Sequence, residues 1–134
     1  MIFMEKPSAS LWRKSGSRYN IVGNECKNCG SSYFPPRIVC RKCGRDTKMA
    51  DKKFGGNGEV ISFTKIMVPP DTFKDEAPYI VGIIQLDEGP RIEGHIIETG
   101  KKIEIGTKVK SVFRKMYVDG EEGLIYYHYK FEPL

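Results

Sequence analysis

The sequence lacks any apolar run long enough to cross a membrane, since no window approaches the roughly 18 apolar residues that a helical span requires. Residues 1–20 also lack the apolar stretch of a secretory signal and instead carry charged side chains, among them Arg13, Lys14 and Arg18. These absences predict a cytoplasmic protein without a membrane span. Because the cytoplasm is reducing, its thiols are expected to stay free of disulfides and available to bind metal.

Motifs of the common hydrolases and nucleotide-binding enzymes are also missing. The chain contains no G-x-S-x-G, no H-E-x-x-H and no phosphate-loop pattern. Histidine is scarce, and its two copies, His95 and His128, fall on the more polar faces of predicted strands, where surface or hydrogen-bonding roles are expected. No nucleophile or orienting carboxylate can be assigned to either. We therefore expect a chain that is not an enzyme on its own.

Cysteine is present only as two C-x-x-C pairs in one short segment. The four residues are Cys26, Cys29, Cys40 and Cys43. Four soft sulfur ligands brought to one point suit tetrahedral Zn²⁺, with iron in rubredoxin-like geometry as the competing metal. Gly30 and Gly44 follow the two pairs, and glycine there allows the turns to take a positive φ. The pattern predicts a zinc ribbon.

Other uses of these cysteines fit less well. A disulfide is rare in a cytosolic chain, and a redox C-x-x-C motif needs no second copy. A catalytic zinc keeps one position open and usually has His or a carboxylate among its ligands, whereas here cysteine fills all four positions. The cluster therefore predicts a structural zinc ion.

Positive charge is concentrated beside the second cysteine pair. The whole chain has a net charge of +5, and residues 37–53 alone carry seven basic and two acidic side chains, so that all of the excess lies there. Two explanations remain open. The cations can offset the negative charge of four thiolates around one Zn²⁺, or they can bind an anionic partner.

The pattern along the chain predicts three parts: an N-terminal helical lead-in over residues 1–20, a zinc ribbon over 21–47 and a barrel over 48–134. In the lead-in, Ser8 or Ser10 is expected to cap a short helix that ends at Gly16. Leu11 and Trp12 form its apolar side, and Trp12 either packs on the domain or anchors a partner. Residues 48–57 are expected to be a polar joint.

Five strands are predicted after this joint, which together indicate a small closed barrel of the OB type in a mainly β protein. Their expected bounds are Val60–Val68, Tyr79–Leu86, Arg91–Glu98, Lys108–Val118 and Leu124–Phe131. The nearly continuous apolar run of the second strand predicts burial on both of its faces.

A zinc ribbon, an OB barrel and a basic patch also occur together in proteins that bind single-stranded nucleic acid, which is the alternative function. Such binding uses the face of the second and third strands and needs exposed aromatics interleaved with cations. The second strand has no basic residue, and in the third Arg91 is balanced by Glu93. Nucleic acid is therefore a less favoured partner.

The motifs also form one ordered pattern over residues 10–132. In order they are Cys26-x-x-Cys29-Gly30, Tyr33-Phe34-Pro35-Pro36-Arg37, Cys40-x-x-Cys43-Gly44, Gly58–Thr64, Ala77-Pro78-Tyr79, Gln85–Arg91 and Ile105–Val109. This pattern resembles the acyl-CoA-associated family that joins a rubredoxin-like zinc ribbon to an OB fold, the domain-of-unknown-function family thirty-five.

The resemblance implies a non-catalytic scaffold for thiolase-superfamily enzymes in lipid metabolism. Its expected partners are acetoacetyl-CoA thiolase and hydroxymethylglutaryl-CoA synthase, at the head of the mevalonate pathway, and its expected ligand is coenzyme A or an acyl-CoA that passes between them. The phosphates of coenzyme A need basic side chains. The candidates are Arg37, Arg41, Lys42, Lys65 and Arg114. Leu11 and Trp12 are the candidates for a partner interface.

Overall fold

The structure is a computed structural model that describes residues 8–118, 121 and 124–134. It is mainly β, with one α-helix, as predicted. The elements are α1 (Ser8–Asn20), β1 (Val22–Cys26), β2 (Ser32–Tyr33), β3 (Met49–Lys53), β4 (Asn57–Ile66), β5 (Tyr79–Leu86), β6 (Arg91–Ile96), β7 (Lys108–Val118) and β8 (Ile125–Pro133), with short 3₁₀ helices at Gly44–Asp46 and Asp71–Glu76. Within the described ranges, no helix has the length and apolar character of a membrane span.

The first sheet contains three antiparallel strands in the order β2-β1-β3. β3 lies in the segment that was expected to be a polar joint, and this prediction was wrong. It pairs with β1 along its whole length, from Val22 with Lys53 to Cys26 with Met49. A small sheet with one face in solvent tolerates polar strand residues, and β1 needs a long partner because β2 contains only two residues.

The remaining five strands close into a barrel in the order β4-β5-β6-β8-β7, which confirms the predicted OB fold. Neighbouring strands are antiparallel except β6 and β8, which meet in parallel where Ile96 pairs with Phe131. Inside the barrel, the backbone of β6 lies close to the side chains of β8 at this point. A Cβ atom on Gly94 would come within 2.8 Å of the Phe131 ring, so glycine is required there.

The barrel interior and the zinc ribbon share one hydrophobic core. Its buried members are Ile21, Phe54, Val60, Ile80, Ile84, Leu86, Ile92, Ile96, Val109, Tyr129 and Phe131. Phe34, from the segment between the two cysteine pairs, packs against this core, and its ring centroid lies 6.0 Å from that of Tyr129. The ribbon is thereby anchored to the barrel. The predicted part boundaries stay a prediction, and β3, placed with the barrel part, pairs with the ribbon strand β1.

Two expectations about local structure were wrong. α1 does not end at Gly16 but continues to Asn20. A glycine inside a helix costs about 1 kcal/mol, and packing of α1 against β8 and β1 is available to offset this cost. β5 is buried on one face only, since Ile80, Gly82, Ile84 and Leu86 point inward while Ile83 is exposed. An apolar run by itself does not reveal how many faces are covered.

Both histidines were expected in surface or hydrogen-bonding roles, and both are buried. His128 does share a hydrogen bond, between its Nδ1 and the carbonyl of Tyr129 at 2.9 Å. His95 is covered by the Asp71–Glu76 segment, whose buried Phe73 ring lies 5.1 Å from the His95 ring and 5.6 Å from the Tyr79 ring, centroid to centroid. This segment lies outside the strand that carries His95, so strand patterning alone did not indicate the cover.

Candidate functional site

The four cysteines converge between the end of β1 and the 3₁₀ helix at Gly44–Asp46. Their Sγ atoms all lie within 4.8 Å of one another. The Sγ atoms of Cys26 and Cys43 are 3.8 Å apart, and those of Cys29 and Cys40 are 3.5 Å apart. Four sulfurs at 2.3 Å from a tetrahedral zinc are about 3.8 Å apart. The donor set and its spacing therefore fit one zinc ion.

The two C-x-x-C turns have the same backbone geometry. Gly30 and Gly44 have φ angles of 77° and 54°, as the sequence predicted. The N–H of Gly30 donates to the carbonyl of Cys26 at 2.7 Å, and that of Gly44 donates to the carbonyl of Cys40 at 3.0 Å. An L side chain at either position would be strained, so glycine keeps both turns in the shape that directs their sulfurs to one point.

The pKa values of the cysteine thiols are shifted in different directions by their neighbours. A hydrogen bond from the Tyr33 hydroxyl, 3.3 Å away, lowers the pKa of Cys40 to about 6, and the backbone N–H of Lys48 lowers the pKa of Cys26. In contrast, the hydrogen bond between Cys43 and Cys29 raises the pKa of Cys43 to about 12. The surroundings thus shift the pKa values of these thiols in opposite directions. A zinc ion at this point would supply the positive charge that favours thiolates at all four positions.

Tyr33 and Asn24 support the metal centre, and sequence reasoning did not assign either of them. The Tyr33 hydroxyl also accepts the N–H of Arg41 at 3.2 Å. The Asn24 side chain is buried and joins the backbone of Arg37 twice, donating to its carbonyl and accepting its N–H at 3.2 Å. The only sequence signal was the position of Tyr33 in the Y-F-P-P-R motif.

The basic residues proposed for coenzyme A fall into separate places. Arg37, Arg41 and Lys42 are exposed and lie close together in sequence around the second cysteine pair. The Arg37 guanidinium lies over the Tyr33 ring, 5.5 Å from its centroid. Three of the five candidates therefore belong to one short segment next to the metal centre, and their role with coenzyme A stays a prediction.

The other two basic candidates lie on two barrel strands, Lys65 on β4 and Arg114 on β7. Because the barrel is closed, the pairing of its strands places Lys65 in one row with Ser111, which lies three residues before Arg114. Four strand steps and three residues separate the two candidates, about 20 Å over the barrel surface. Lys65 also forms an ion pair of 2.9 Å with Glu98.

The outer face of β5 and β6 is the usual ligand face of an OB fold, because these are the second and third strands of the barrel. Here the Asp71–Glu76 segment covers part of it, with Phe73 packed on Tyr79 and His95. Burial lowers the pKa of His95 to about 4, with the positive charges of Lys130 and His128 contributing. His95 is therefore a neutral packing residue at physiological pH.

The candidate partner residues on α1 are described only in part. The side chain of Trp12 is 80% exposed, so it is available to a partner. The side chain of Leu11 lies outside the described part of the structure. Trp12 therefore stays a candidate for a partner interface because it is exposed, and Leu11 stays a sequence prediction.

Two family models match the chain. The ChsH2 rubredoxin-like zinc ribbon domain matches residues 13–49, and the ChsH2 C-terminal OB-fold domain matches residues 51–114. Together they cover both the metal centre and most of the barrel, and they agree with the predicted combination of a zinc ribbon with an OB fold.

Two relatives are similar to the chain over almost its whole length. Both are called DUF35 domain-containing scaffold proteins. The one from Methanothermobacter thermautotrophicus is 45% identical over 97% of this chain and 98% of its own, and the one from Methanocaldococcus jannaschii is 40% identical over 99% and 95%. A solved structure, the Ltp2-ChsH2(DUF35) aldolase, matches 99% of this chain and 98% of its own with a TM-score of 0.70 and 25% identity.

Proposed function

The chain belongs to the DUF35 family of zinc-ribbon and OB-fold scaffold proteins, and on that premise we propose that it is a non-catalytic subunit that holds acyl-CoA enzymes of the thiolase superfamily together. The observation that carries the proposal is similarity from end to end to proteins named as scaffolds. The matched structure supports it, because its name joins a DUF35 chain to a second protein, Ltp2, in one aldolase.

The partners proposed for this chain are acetoacetyl-CoA thiolase and hydroxymethylglutaryl-CoA synthase, which act in sequence on acyl-CoA thioesters. A scaffold that holds both would shorten the path of the thioester between them. Among the basic residues proposed for coenzyme A, Arg37, Arg41 and Lys42 belong to one short segment and could meet its phosphates together, whereas Lys65 and Arg114 lie on the barrel strands β4 and β7.

Zinc serves this function as a structural ion. When bound, it supplies the positive charge that holds four thiolates together, and the ribbon around it is too small to fold on a core of its own. The chain's own residues then do the rest. Tyr33 and the backbone N–H groups orient the sulfurs, and Phe34 connects the ribbon to the barrel core.

The alternative function, binding of single-stranded nucleic acid, finds less support. Base stacking needs accessible aromatic faces on the second and third barrel strands. Tyr79 on that face is instead stacked against His95, with centroids 4.7 Å apart and an angle of 12° between the planes, and Phe73 covers both. The rings that a base would need are already in contact with one another.

Reconstitution tests the proposed function. The purified, zinc-loaded chain is mixed with the thiolase and the synthase from the same organism, and the mass of the mixture is measured by size-exclusion chromatography with light scattering. We expect one assembly that contains all three proteins and that does not form without the chain. Three separate peaks, or turnover of a thioester panel by the chain alone, would show that it is not a scaffold of these enzymes.

A further inference from the structure

The loop that carries the second cysteine pair has an unusual surface. We call residues 37–42 the knuckle tip. Its two aliphatic residues, Ile38 and Val39, are 92% and 55% exposed. Arg37 precedes them and Arg41 and Lys42 follow shortly after, all exposed. Single exposed apolar residues are ordinary on protein surfaces, but adjacent ones enclosed by cations form a small amphipathic patch that needs an explanation.

The backbone of the knuckle tip is fixed on both sides of the aliphatic pair. On one side, buried Asn24 holds the N–H and the carbonyl of Arg37. On the other, the N–H of Cys40 donates to the Thr47 hydroxyl at 2.9 Å, and the N–H of Arg41 donates to the Tyr33 hydroxyl. Because the loop is already ordered, a partner that binds it loses little conformational entropy.

The charge on the tip indicates what could cover it. Residues 37–42 contain three basic residues, Arg37, Arg41 and Lys42, and no carboxylate. Two copies of this surface would repel each other, which argues against self-association through the tip. The complementary surface is an apolar recess with Asp and Glu side chains around its rim.

Other ligand classes fit the tip less well. Nucleic-acid bases stack on accessible aromatic rings, whereas the exposed apolar residues of the tip are aliphatic and the Tyr33 ring lies beneath the Arg37 guanidinium. Surfaces that insert into membranes use Trp, Phe and Leu in larger numbers. A protein surface needs only a small recess to accept one isoleucine and one valine.

We propose that the knuckle tip is a docking finger, with Ile38 and Val39 entering an acidic-rimmed apolar recess on the partner acyl-CoA enzyme. Arg37, Arg41 and Lys42 then meet the carboxylates of the rim in place of the phosphates of coenzyme A. The identity of the partner rests on the proposed function, whereas the finger itself rests on the exposure, charge and rigidity of the loop. The zinc ion then has a further role, because it holds the shape of the surface that the partner recognises.

The first test measures affinity in the reconstituted complex. Ile38→Asp is expected to raise the Kd for the enzyme at least tenfold. Val68→Asp is the matched control, because Val68 is 88% exposed on the barrel, and its Kd is expected to change less than twofold. Both variants must bind one zinc per chain and keep the wild-type circular dichroism, so that a change in Kd reports docking. An unchanged Kd for Ile38→Asp overturns the finger.

The second test identifies the partner without assuming it. A photo-crosslinking amino acid replaces Ile38 in the tagged chain, which is irradiated in an extract of its source organism. A crosslink to a thiolase-superfamily enzyme supports both the finger and the proposed function. A specific crosslink to another acidic protein, lost when Arg41 and Lys42 are changed to Glu, supports the finger and rejects the proposed partner.

Two other results of the crosslinking, and one result of a separate vesicle-binding assay, decide against the finger. A crosslink only between two copies of the chain shows self-association instead. Co-purification of the enzyme without a crosslink leaves the scaffold in place and removes the finger. Binding to vesicles with 30% phosphatidylserine that is lost in Ile38→Asp assigns the tip to a membrane surface. The same vesicles without the anionic lipid serve as the control for that arm.

Discussion

The ammonium group of Lys130 on β8 lies 3.1 Å from the carboxylate of Glu76, in the segment that covers the outer face of the barrel. Lys130 is buried, so that Glu76→Gln would leave an ammonium group without its counter-charge. We expect this change to lower the free energy of unfolding by about 1 to 3 kcal/mol, less than for a fully buried pair because Glu76 is partly exposed. Urea denaturation measures it.

Glu98→Gln provides the matched control for this ion pair. It removes the partner of Lys65 in a surface pair whose side chains are both about half exposed. Such pairs contribute little because solvent screens them, so a change below about 1 kcal/mol is expected. Equal effects of the two substitutions would show that the contact between Glu76 and Lys130 does not hold the covering segment in place.

Acid is expected to destabilise the fold through His95. Burial lowers the folded-state pKa of His95 to about 4, against 6.5 for an ordinary histidine. The titratable groups around it are Lys130, His128, Tyr79 and the Glu76 carboxylate, which is paired with Lys130. Since the unfolded chain takes up the proton first, the contribution of His95 is complete above about pH 6.5 and is lost as the pH falls towards 4.

His95→Phe should remove this pH dependence, because phenylalanine keeps the ring contacts and has no proton to bind. Between pH 7 and pH 5 the parent is expected to lose roughly 2 kcal/mol more stability than the variant. Denaturation curves at both pH values give the difference. If the parent and the variant lose the same amount, His95 is accessible to protons in the folded protein.

Loss of one zinc ligand should release the ribbon. Cys40→Ser is expected to bind no zinc and to be cut by protease within residues 21–47, because the ribbon has no core of its own. Since Ile21 belongs to the shared core and Phe34 packs on it, the barrel is also expected to lose some stability. Metal analysis and limited proteolysis measure both effects, with Lys42→Ala as the control that keeps zinc. Zinc binding by Cys40→Ser at one per chain would contradict the assigned ligand.

Gly16→Ala should stabilise the protein. Gly16 lies inside α1, and a Cβ atom there would meet nothing within 4 Å. Alanine is favoured over glycine in a helix by about 0.8 to 1 kcal/mol, which thermal denaturation can detect. A destabilised Gly16→Ala would mean that α1 does not continue through this residue.

Gly94→Ala is the opposite case, because its Cβ would press on the Phe131 ring. The free energy of unfolding is expected to fall by about 1 to 3 kcal/mol.

The metal ligands and the five barrel strands could be predicted because their signals are local. The spacing of Cys26, Cys29, Cys40 and Cys43 requires only two tight turns, and runs of β-branched and aromatic residues indicate strands wherever they lie. The 3₁₀ segment at Asp71–Glu76 and the strand β3 gave no such signal. Their polar residues are placed by the neighbours on which they pack, and those neighbours are distant in sequence.

The arrangement of the proposed basic residues could not be predicted for a related reason. The sequence shows Lys65 and Arg114 on strands, but only the pairing of the barrel strands shows how they lie relative to each other. Similarly, Ile38 is an ordinary residue in the sequence, and only the structure shows that it is exposed beside the backbone of Arg37, which Asn24 holds.

The most direct test of the proposed scaffold is to recover the chain from its own organism with what it binds. The tag is placed after Leu134, an exposed residue that follows β8 and is distant in sequence from the knuckle tip. Gentle purification followed by quantitative mass spectrometry is expected to show a thiolase or hydroxymethylglutaryl-CoA synthase at a stoichiometric yield. Recovery of RNA, DNA or polymerase subunits in place of such an enzyme would contradict the account.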